Sequence, residues 1–292
     1  MPDERLTAEQ TAVLAWATDA HRDLPWRRTR DPWAVLVSEA MLQQTQVARV
    51  VPKYHAFLDR FPEPEDCAAA PQAEVVTLWA GLGYNRRAVQ LHRAALAMVA
   101  HHGGEVPDRL EDLLALPGVG PYTARAVLAF AFEQAAAVVD TNVARVLARR
   151  AGRRLTAREA QVAADGWLPE ARSWAWNQAM LDLGAGTCTA RAPRCATCPV
   201  AVGCAWRTSG NAPPDPAIGS AGVSGPQSRF EGSDRQGRGR LVDALRTGPV
   251  PEAELAAVMG WPDDAARVRR VAGGLVAEGM VAFVEDRFCL AP

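Results

Sequence analysis

Residues 116–127 read LPGVGPYTARAV and join two segments that have the apolar periodicity of helices. A predicted helix over 109–115 ends in a tight turn with Gly118 and Gly120, and Pro121 suits the first position of the next helix. The two glycines let the backbone approach a ligand closely, and the N–H groups at the helix start suit a phosphate oxygen. The segment therefore indicates a helix–hairpin–helix that holds a DNA backbone without reading its sequence, although an ordinary turn between two helices has the same form.

The surrounding sequence predicts a largely helical chain. Apolar residues recur at intervals of three and four, and Pro and Gly separate the segments. The predicted helices before residue 207 are 7–20, 33–49, 72–80, 86–101, 109–115, 121–132, 141–150 and 156–164. Only AAAVVD at 135–140 has the character of a strand, and it is too short for a sheet. The expected fold class of this region is all-α.

The composition limits the kind of protein. Of the 292 residues, 49% are hydrophobic and 22% are charged, which favours buried cores over disorder. No run approaches the ~18 apolar residues of a membrane span, and the first residues contain acids instead of an apolar targeting segment. We therefore expect a soluble, cytoplasmic protein. The net charge of −1 excludes nucleic-acid binding by bulk charge alone, but it does not exclude a local basic face.

The composition changes at 209–228, where SGNAPPDPAIGSAGVSGPQS contains no aromatic or basic residue. Its Gly, Pro, Ser and Ala content predicts a flexible linker. The three helices predicted beyond it are 235–247, 252–259 and 263–277. The final segment VAFVEDRFCL predicts a hairpin that turns at Glu285–Asp286. The region 229–292 therefore has the outline of a winged-helix module.

The most specific pattern is Cys188-x6-Cys195-x2-Cys198-x5-Cys204. Four thiolates within 17 residues can converge on one metal centre if the chain wraps around it. Four sulfur ligands suit tetrahedral zinc, but zinc loops usually pair two short C-x2-C knuckles. A single C-x2-C with wider gaps on both sides suits the larger [4Fe–4S] cube, so the spacing favours the cluster and leaves zinc open.

Asp140 follows an apolar run and directly precedes the predicted helix 141–150. From its position alone, the favoured interpretation is a helix N-cap, a role that Thr141 or Asn142 can share. A carboxylate held near the end of a buried segment can instead stabilise a developing cation. The residues by themselves leave both interpretations open.

Glu39 is a lone acid in the apolar helical stretch around Leu36 and Leu42. Buried acids are unfavourable unless they are paired or functional. A partly desolvated carboxyl keeps its proton to higher pH and can act as a general acid near neutrality, whereas a position at the rim, facing water or paired with an arginine, is as compatible with the pattern. The stretch ends with Gln43-Gln44-Thr45, whose side chains have a size that fits into a base stack.

Taken in order, these motifs resemble the helix–hairpin–helix DNA glycosylases with an iron–sulfur cluster, and the resemblance is closest to the MutY-type adenine DNA glycosylases. It extends over about residues 5–207. The residues that carry it are the cysteine loop 188–204, LPWR (24–27), SEAMLQQTQV (38–47), GLGYNRRA (81–88), LPGVGPYTARAV (116–127), VDTNVARVLAR (139–149) and WNQAMLDLGA (176–185). In this context the [4Fe–4S] cluster is favoured over zinc.

The resemblance implies an all-α, two-lobed helix–hairpin–helix glycosylase with an iron–sulfur cluster loop, followed by the small winged-helix-like α+β module. The implied domains are 1–26 with 136–208 for the cluster domain, 27–135 for the helical domain, 209–228 for the linker and 229–292 for the module. Residues 229–292 are too short for the Nudix-like domain that MutY-type enzymes usually append. The module is expected to contact DNA through Arg235, Arg238 and Arg240, to dock a protein, or to act as a structural cap.

The resemblance also implies a reaction. A monomer would flip adenine, mispaired with 8-oxoguanine or guanine, out of double-stranded DNA in base excision repair. Glu39 would protonate the adenine so that it leaves as a neutral base, and Asp140 would stabilise the oxocarbenium-like sugar until water completes hydrolysis. Gln44 would wedge into the gap while Tyr84 stacks from the other side, and Tyr122 matches a family active-site position.

The remaining implied residues form three sets. The base pocket would be lined by Trp26, Arg27 and Leu42. DNA contacts would come from Gln43, Gln44, Thr45, Tyr84, Gly118, Val119, Gly120, Thr123 and Asn142. The metal ligands would be Cys188, Cys195, Cys198 and Cys204.

The endonuclease III branch has a lysine at the position of Tyr122, but Lys53 is the only lysine of this chain, so hydrolysis without strand cleavage is expected.

Two alternatives to adenine excision stay open at this point. One alternative is a thymine/uracil mismatch glycosylase of the same superfamily, against which the QQT run argues. The other is a DNA-binding regulator whose cluster senses oxidants. This interpretation gives Glu39 and Asp140 no functional role.

Overall fold

The computed structural model describes residues 6–20, 22–221 and 229–292. Fifteen α-helices lie within these ranges: α1 Ala8–Ala20, α2 Pro32–Leu42, α3 Val47–Arg60, α4 Pro64–Ala69, α5 Gln72–Leu78, α6 Arg86–His102, α7 Leu110–Ala115, α8 Pro121–Phe130, α9 Thr141–Ala151, α10 Ala157–Asp165, α11 Ser173–Asp182, α12 Ala205–Thr208, α13 Asp234–Leu245, α14 Leu255–Met259 and α15 Ala265–Ala277. The strands are β1 Val250–Pro251, β2 Val281–Val284 and β3 Arg287–Leu290. None of the helices in the described ranges combines the length and the apolar character that crossing a membrane requires. The predicted fold class is confirmed.

The chain divides into two compact units. The first unit contains the described residues up to Val35, Asp108–Glu111 and those from Val119 to Ala221. The second unit contains Leu36–Pro107, Asp112–Gly118 and the described residues from Arg229 to Pro292. This division differs from the expected domains in several respects, and residues 27–35 and 108–111 of the expected helical domain lie in the first unit. Helix α8 belongs to the first unit, where it packs against α11, and the C-terminal region belongs to the second.

The core of the first unit forms where α1, α9, α10 and α11 pack together. Their apolar faces bury Val13, Leu147 and Met180, and Trp167 packs edge-to-face on Trp176 with ring centroids 5.0 Å apart. Helix α10 begins at a capping box in which Thr156 and Glu159 exchange hydrogen bonds with each other's backbone. This core carries the start of α9, where Asp140 lies.

The core of the second unit lies among α3, α4, α5 and α6. Phe57 packs edge-to-face on both Phe61 and Trp79, with centroid distances of 5.1 and 6.2 Å. All three rings are fully buried, together with Met98 on α6. The loop between α5 and α6 contains Tyr84 and is therefore attached to a rigid helical base.

Residues 229–292 form the C-terminal module, which consists of α13, α14, α15 and a three-stranded antiparallel sheet with strand order β1-β3-β2. The β2–β3 hairpin turns at Glu285 and Asp286, whose φ values of 48° and 58° are those of a tight two-residue hairpin turn. Val250 on β1 pairs with Phe288 on β3. The winged-helix outline predicted from sequence is therefore present.

The segment after the cysteine loop packs against the first unit. Asp215 accepts hydrogen bonds from the buried Arg149, with 2.7 Å between Oδ2 and Nη2. Ala217 is buried, and the Ala221 N–H donates to the Leu155 carbonyl at 3.1 Å. This packing differs from the flexible linker expected over 209–228, because composition does not reveal that a single acid pairs with a distant arginine. Residues 222–228 of that expected linker lie outside the described residues.

Candidate active site and metal centre

Asp140 lies at the end of an extended segment of the first unit, and this segment is not part of a sheet. Asn177 on α11 accepts from the Val138 N–H at 2.8 Å and donates to the Ala136 carbonyl at 2.9 Å. Its side chain is buried, so these bonds replace a neighbouring strand. Asn177 lies within WNQAMLDLGA, but its role is not predictable from that segment because its partners lie about forty residues earlier in the chain.

The carboxylate of Asp140 caps helix α9. Its Oδ1 accepts from the Val143 N–H at 2.7 Å, and its Oδ2 accepts from the Asn142 side-chain amide at 2.7 Å. Burial raises the pKa of Asp140 above its usual value, whereas the donors from Val143 and Asn142 and the charge of Arg145 oppose this shift. The N-cap interpretation is thus confirmed, and the same hydrogen bonds fix the carboxylate in one orientation.

Arg145 connects this carboxylate to the cysteine loop within the first unit. Its Nη2 donates to Asn142 Oδ1 at 2.8 Å and to the Gly184 carbonyl at 2.6 Å, while its Nε donates to the Cys188 carbonyl at 2.7 Å. The chain packs closely here, because a Cβ added at Gly184 would lie 2.7 Å from Asn142 Cβ. A continuous series of hydrogen bonds therefore runs from Asp140 through Asn142 and Arg145 to the loop.

The four cysteines of the loop surround one cavity of about 350 Å³, part of which is open to solvent. They are Cys188, Cys195, Cys198 and Cys204, as predicted from their spacing. No group of three or more His, Cys, Asp or Glu side chains in the described residues is arranged to hold a single metal ion. Four thiols that line one cavity are placed to bind a metal centre together.

Arg149 holds the cysteine loop through hydrogen bonds. The guanidinium is buried and donates to Cys188 Sγ at 3.3 Å and to the Thr189 carbonyl at 2.8 Å. It also pairs with Asp215 and lies over the Trp206 ring, 4.7 Å from the centroid. Its charge favours the thiolate form of a bound cysteine, and Asp215 balances that charge in the buried site.

Glu39 lies in the part of α2 that belongs to the second unit. The residue is 6% exposed, and Leu36 and Met41 beside it on the helix are fully buried. A position at a water-facing rim is therefore not what the structure shows. A carboxyl buried to this extent is a candidate general acid.

Two exposed loops of the second unit carry the residues predicted to enter the base stack. Gln44 and Tyr84 both have left-handed backbones, with φ of 56° and 46°. Such conformations cost about 1–3 kcal/mol for a side-chain-bearing residue and persist only where neighbours hold them. Both residues are exposed, and 43% of Tyr84 is accessible.

Arg87 ties these two loops together and was not singled out from the sequence. Its Nη1 donates to the carbonyls of Ala40, Met41 and Gln43 at 2.6–2.9 Å, which caps the end of α2. Its Nη2 donates to Thr45 Oγ1 and the Gly83 carbonyl, both at 3.0 Å. Burial lowers the pKa of Arg87 to about 10, so the guanidinium stays charged at neutral pH.

The helix–hairpin–helix residues are arranged as the sequence predicts. In the second unit, Gly118 has φ +78°, and an added Cβ would lie 2.6 Å from Gln90 Cβ, so only glycine fits. In the first unit, Gly120 precedes Pro121 as the N-cap of α8. The next two residues, Tyr122 and Thr123, are half-buried and buried in the first turn of that helix.

The three residues predicted to line the base pocket differ in burial and lie in different units. Trp26 and Arg27 are buried in the first unit, whereas Leu42 is half-buried in the second. Arg27 donates from both terminal nitrogens to Asp182, at 2.7 and 3.0 Å. Burial acts to raise the pKa of Asp182, but its hydrogen bonds with Arg27 and Arg22 outweigh burial and hold the pKa below its usual value. This pair anchors the chain before α2 to α11, a role that the sequence did not predict.

Comparisons with known proteins show the family to which the chain belongs. The family described as HhH-GPD superfamily base excision DNA repair protein matches residues 37–169. An adenine DNA glycosylase of Mycobacterium tuberculosis is 43% identical over 96% of this chain and 92% of its own length. This chain belongs to the adenine DNA glycosylases of the HhH-GPD superfamily.

Two solved structures show how much of this adenine DNA glycosylase is shared with other glycosylases. A thermostable thymine-DNA glycosylase is 32% identical with a TM-score of 0.66, and it covers 68% of this chain and 95% of its own. A trapped endonuclease III–DNA covalent intermediate is 25% identical with a TM-score of 0.62, and it covers 71% of this chain and all of its own. Each of the two structures therefore leaves more than a quarter of the present glycosylase without a counterpart.

Proposed function

We propose that this chain removes adenine mispaired with 8-oxoguanine or guanine from double-stranded DNA by hydrolysis of the N-glycosidic bond. The observation that carries the proposal is the contrast between two carboxyl groups. Glu39 is buried on α2, whereas Asp140, whose pKa burial raises, accepts two hydrogen bonds that oppose this shift. A buried carboxyl and a carboxylate held by two donors suit an acid and an ionised partner in one reaction.

The proposed reaction begins with extrusion of the adenine, which costs a few kcal/mol of unstacking. Gln44 fills the gap and Tyr84 stacks beside it, because both are exposed on loops that Arg87 holds in place. A proton then moves from the carboxyl of Glu39 to a ring nitrogen of the adenine. The C1′–N9 bond breaks with its electron pair on the departing neutral base.

The second half of the reaction is assigned to Asp140. Its carboxylate stabilises the positive charge that develops on the sugar ring, and the hydrogen bonds from Val143 and Asn142 hold it in the required orientation. Water adds to C1′ and returns a proton to Glu39, which completes hydrolysis. Tyr122 occupies the position at which a lyase has its lysine, so no Schiff base forms and the strand stays intact until a later step.

We propose further that the cysteine loop binds a [4Fe–4S] cluster. The four thiols line one cavity, and their spacing, a single C-x2-C with wider gaps on both sides, fits a cluster better than one zinc ion. When bound, the cluster supplies four iron–thiolate bonds that close the loop. The hydrolysis itself transfers no electrons, so the role of the cluster here is to fix the loop that Arg145 contacts.

The cluster proposal predicts the metal content of the protein. The chain should contain about four irons and absorb broadly in the visible. Cys198→Ser should lose most of this iron, whereas Cys289→Ser, in the C-terminal module, should keep it. Iron and zinc are measured together by elemental analysis. An active, colourless protein with one zinc per chain would contradict the assignment.

A base-excision panel tests the proposed function. Duplexes with a central A:8-oxoG, A:G, T:G or U:G pair are incubated with the protein and then treated with alkali. Breakage at the adenine of the first two is expected, with little breakage before alkali. Cleavage of T:G or U:G with an intact adenine strand would favour a thymine or uracil glycosylase, which the similarity to a thymine-DNA glycosylase makes the second candidate.

The hydrogen bond from Asn142 to Asp140 predicts a shift in pH dependence. In Asn142→Ala a donor to the charged carboxylate is lost, so the pKa of Asp140 should rise further. Excision that needs ionised Asp140 should then fall off at a higher pH on the acid side. Single-turnover rates at saturating protein, measured across pH, report this limb. Gln10→Ala, on α1, should leave it in place, and an unmoved limb in Asn142→Ala would show that another group titrates.

A further inference from the structure

The C-terminal module is fixed to the helices of the second unit by buried polar contacts. Gln72 at the start of α5 is buried and donates to the Gly279 carbonyl at 2.7 Å. Arg93 on α6 donates to the Glu278 carbonyl at 3.0 Å, and β3 packs against α5. Because a buried amide without its partner is costly, the module is an integral part of this unit.

Helix α13 of the module lies along the loop that carries Tyr84. Near its C-terminal end, Arg246 donates to the Val76 carbonyl at 3.1 Å and to Asn85 Oδ1 at 2.9 Å. Near its N-terminal end, Arg235 Nη1 lies 3.5 Å from the Tyr84 hydroxyl. Eleven residues separate the two arginines, which is about three helical turns, so both point from the same face. Asn85 directly follows Tyr84. Arg246 therefore holds the loop through Asn85, and Arg235 lies beside the Tyr84 side chain.

The other cations of the module are less suited to a DNA contact. On α15, the helix that a winged-helix protein would use for reading a groove, Arg267 and Arg270 both pair with Asp234 at 2.7 and 2.8 Å. The hairpin tip carries the acids Glu285 and Asp286, which a phosphate backbone repels. All three arginines predicted to bind DNA make contacts within the protein, and Arg235 also lies over the Phe230 ring, 5.9 Å from its centroid. Arg238 pairs with Glu278 at 2.5 Å, and Arg240 donates to the Met259 carbonyl.

We infer that the C-terminal module extends the DNA-binding surface through α13, with Arg235 binding a backbone phosphate beside the base pair that Tyr84 enters and Arg246 holding the Tyr84 loop. This inference rests on the proposed function, because it requires Tyr84 to meet a DNA duplex. It assigns the module neither groove reading nor protein docking. The position of Arg235 beside an exposed aromatic ring provides the two contacts, cation and stacking surface, that unstacked nucleic acid requires.

The salt dependence of binding tests Arg235. The probe is a duplex with a tetrahydrofuran abasic analogue opposite 8-oxoguanine, and the full chain is used with and without Arg235→Ala. Loss of one phosphate contact should reduce the slope of log Kd against log salt by about 0.9. The ratio of variant to wild-type Kd should accordingly fall by about 3.5-fold between 50 and 200 mM salt. An unchanged slope would overturn the inference.

Arg269→Ala is the matched control, since Arg269 is exposed on α15 of the same module. It should leave the slope unchanged, and an equal reduction in this variant would place the contact on α15 and overturn the assignment to α13. The excision panel separates this result from the proposed function. If the wild-type chain excised no adenine but Arg235→Ala still reduced the salt slope, the DNA-binding surface would be supported and the assignment of adenine as the substrate would be wrong.

Arg246→Lys tests the support of the loop. Lysine keeps the charge but cannot donate to Val76 and Asn85 at the same time as a planar fork. We expect this variant to lose the fluorescence increase of 2-aminopurine placed next to the target adenine, which reports unstacking, while its thermal unfolding shows an intact fold. Asp243→Asn, which alters the exposed ion-pair partner of Arg246, should retain the increase. A full increase in Arg246→Lys would contradict the supporting role.

Discussion

Glu39→Gln is expected to lower the rate of adenine excision by roughly 10³-fold, which is within the range for loss of a general acid. Glutamine has nearly the same shape as glutamic acid and is uncharged, so it fits the site of a residue that is only 6% exposed. It cannot donate a proton to the departing base. The variant should therefore fold and bind the mismatched duplex as the wild type does.

The measurement is a single-turnover assay with an A:8-oxoG duplex and saturating protein. Binding to the duplex with the abasic analogue is measured in parallel. Glu105→Gln changes an exposed acid of the same unit and should excise adenine at the wild-type rate. If Glu39→Gln excised adenine normally, the acid would be misassigned, and a DNA-binding regulator would become the better description of the chain.

Asp140→Asn should lower the excision rate by about 10²- to 10³-fold, by analogy with the loss of one electrostatic contact to a transition state. Asparagine is as good an N-cap as aspartate, so helix α9 should still begin at residue 141. The neutral amide cannot stabilise a cationic sugar. The substitution therefore separates the structural role of this residue from its chemical one.

Thr156→Ala is the control for the cap itself. Thr156 begins α10 in the same unit, and its removal should cost about 1 kcal/mol of folding stability without slowing excision. Thermal unfolding and single-turnover rates are measured for both variants. Asp140→Asn with wild-type excision, or with a loss of activity explained entirely by unfolding, would contradict the proposed role.

The sequence predicted the parts of the site that depend on local chemistry. The cysteine spacing, the glycines of the hairpin and the cap at Asp140 each depend on residues within a short segment, and the structure places them as expected. The fold class and the winged-helix outline followed from periodicity and turn residues in the same way.

The polar contacts that position the site could not be predicted in this way. Arg87 reaches carbonyls more than forty residues earlier in the chain, and Arg145 reaches Cys188 in the opposite direction. An arginine on a helix has the same local pattern whether it faces water or binds backbone carbonyls. Only tertiary packing distinguishes these cases, and the pairing of Arg27 with Asp182 was missed for the same reason.

The pairing of Arg149 with Asp215 determines where the chain can be shortened. A truncation ending at residue 208, which the composition would suggest, removes Asp215 and leaves a guanidinium whose side chain is 2% exposed without its counter-ion. Loss of one partner from a buried ion pair typically costs about 3–5 kcal/mol. A boundary after Ala221 keeps the aspartate but still removes the Gly279 carbonyl that pairs with the buried Gln72, so the full chain is the better choice for crystallisation.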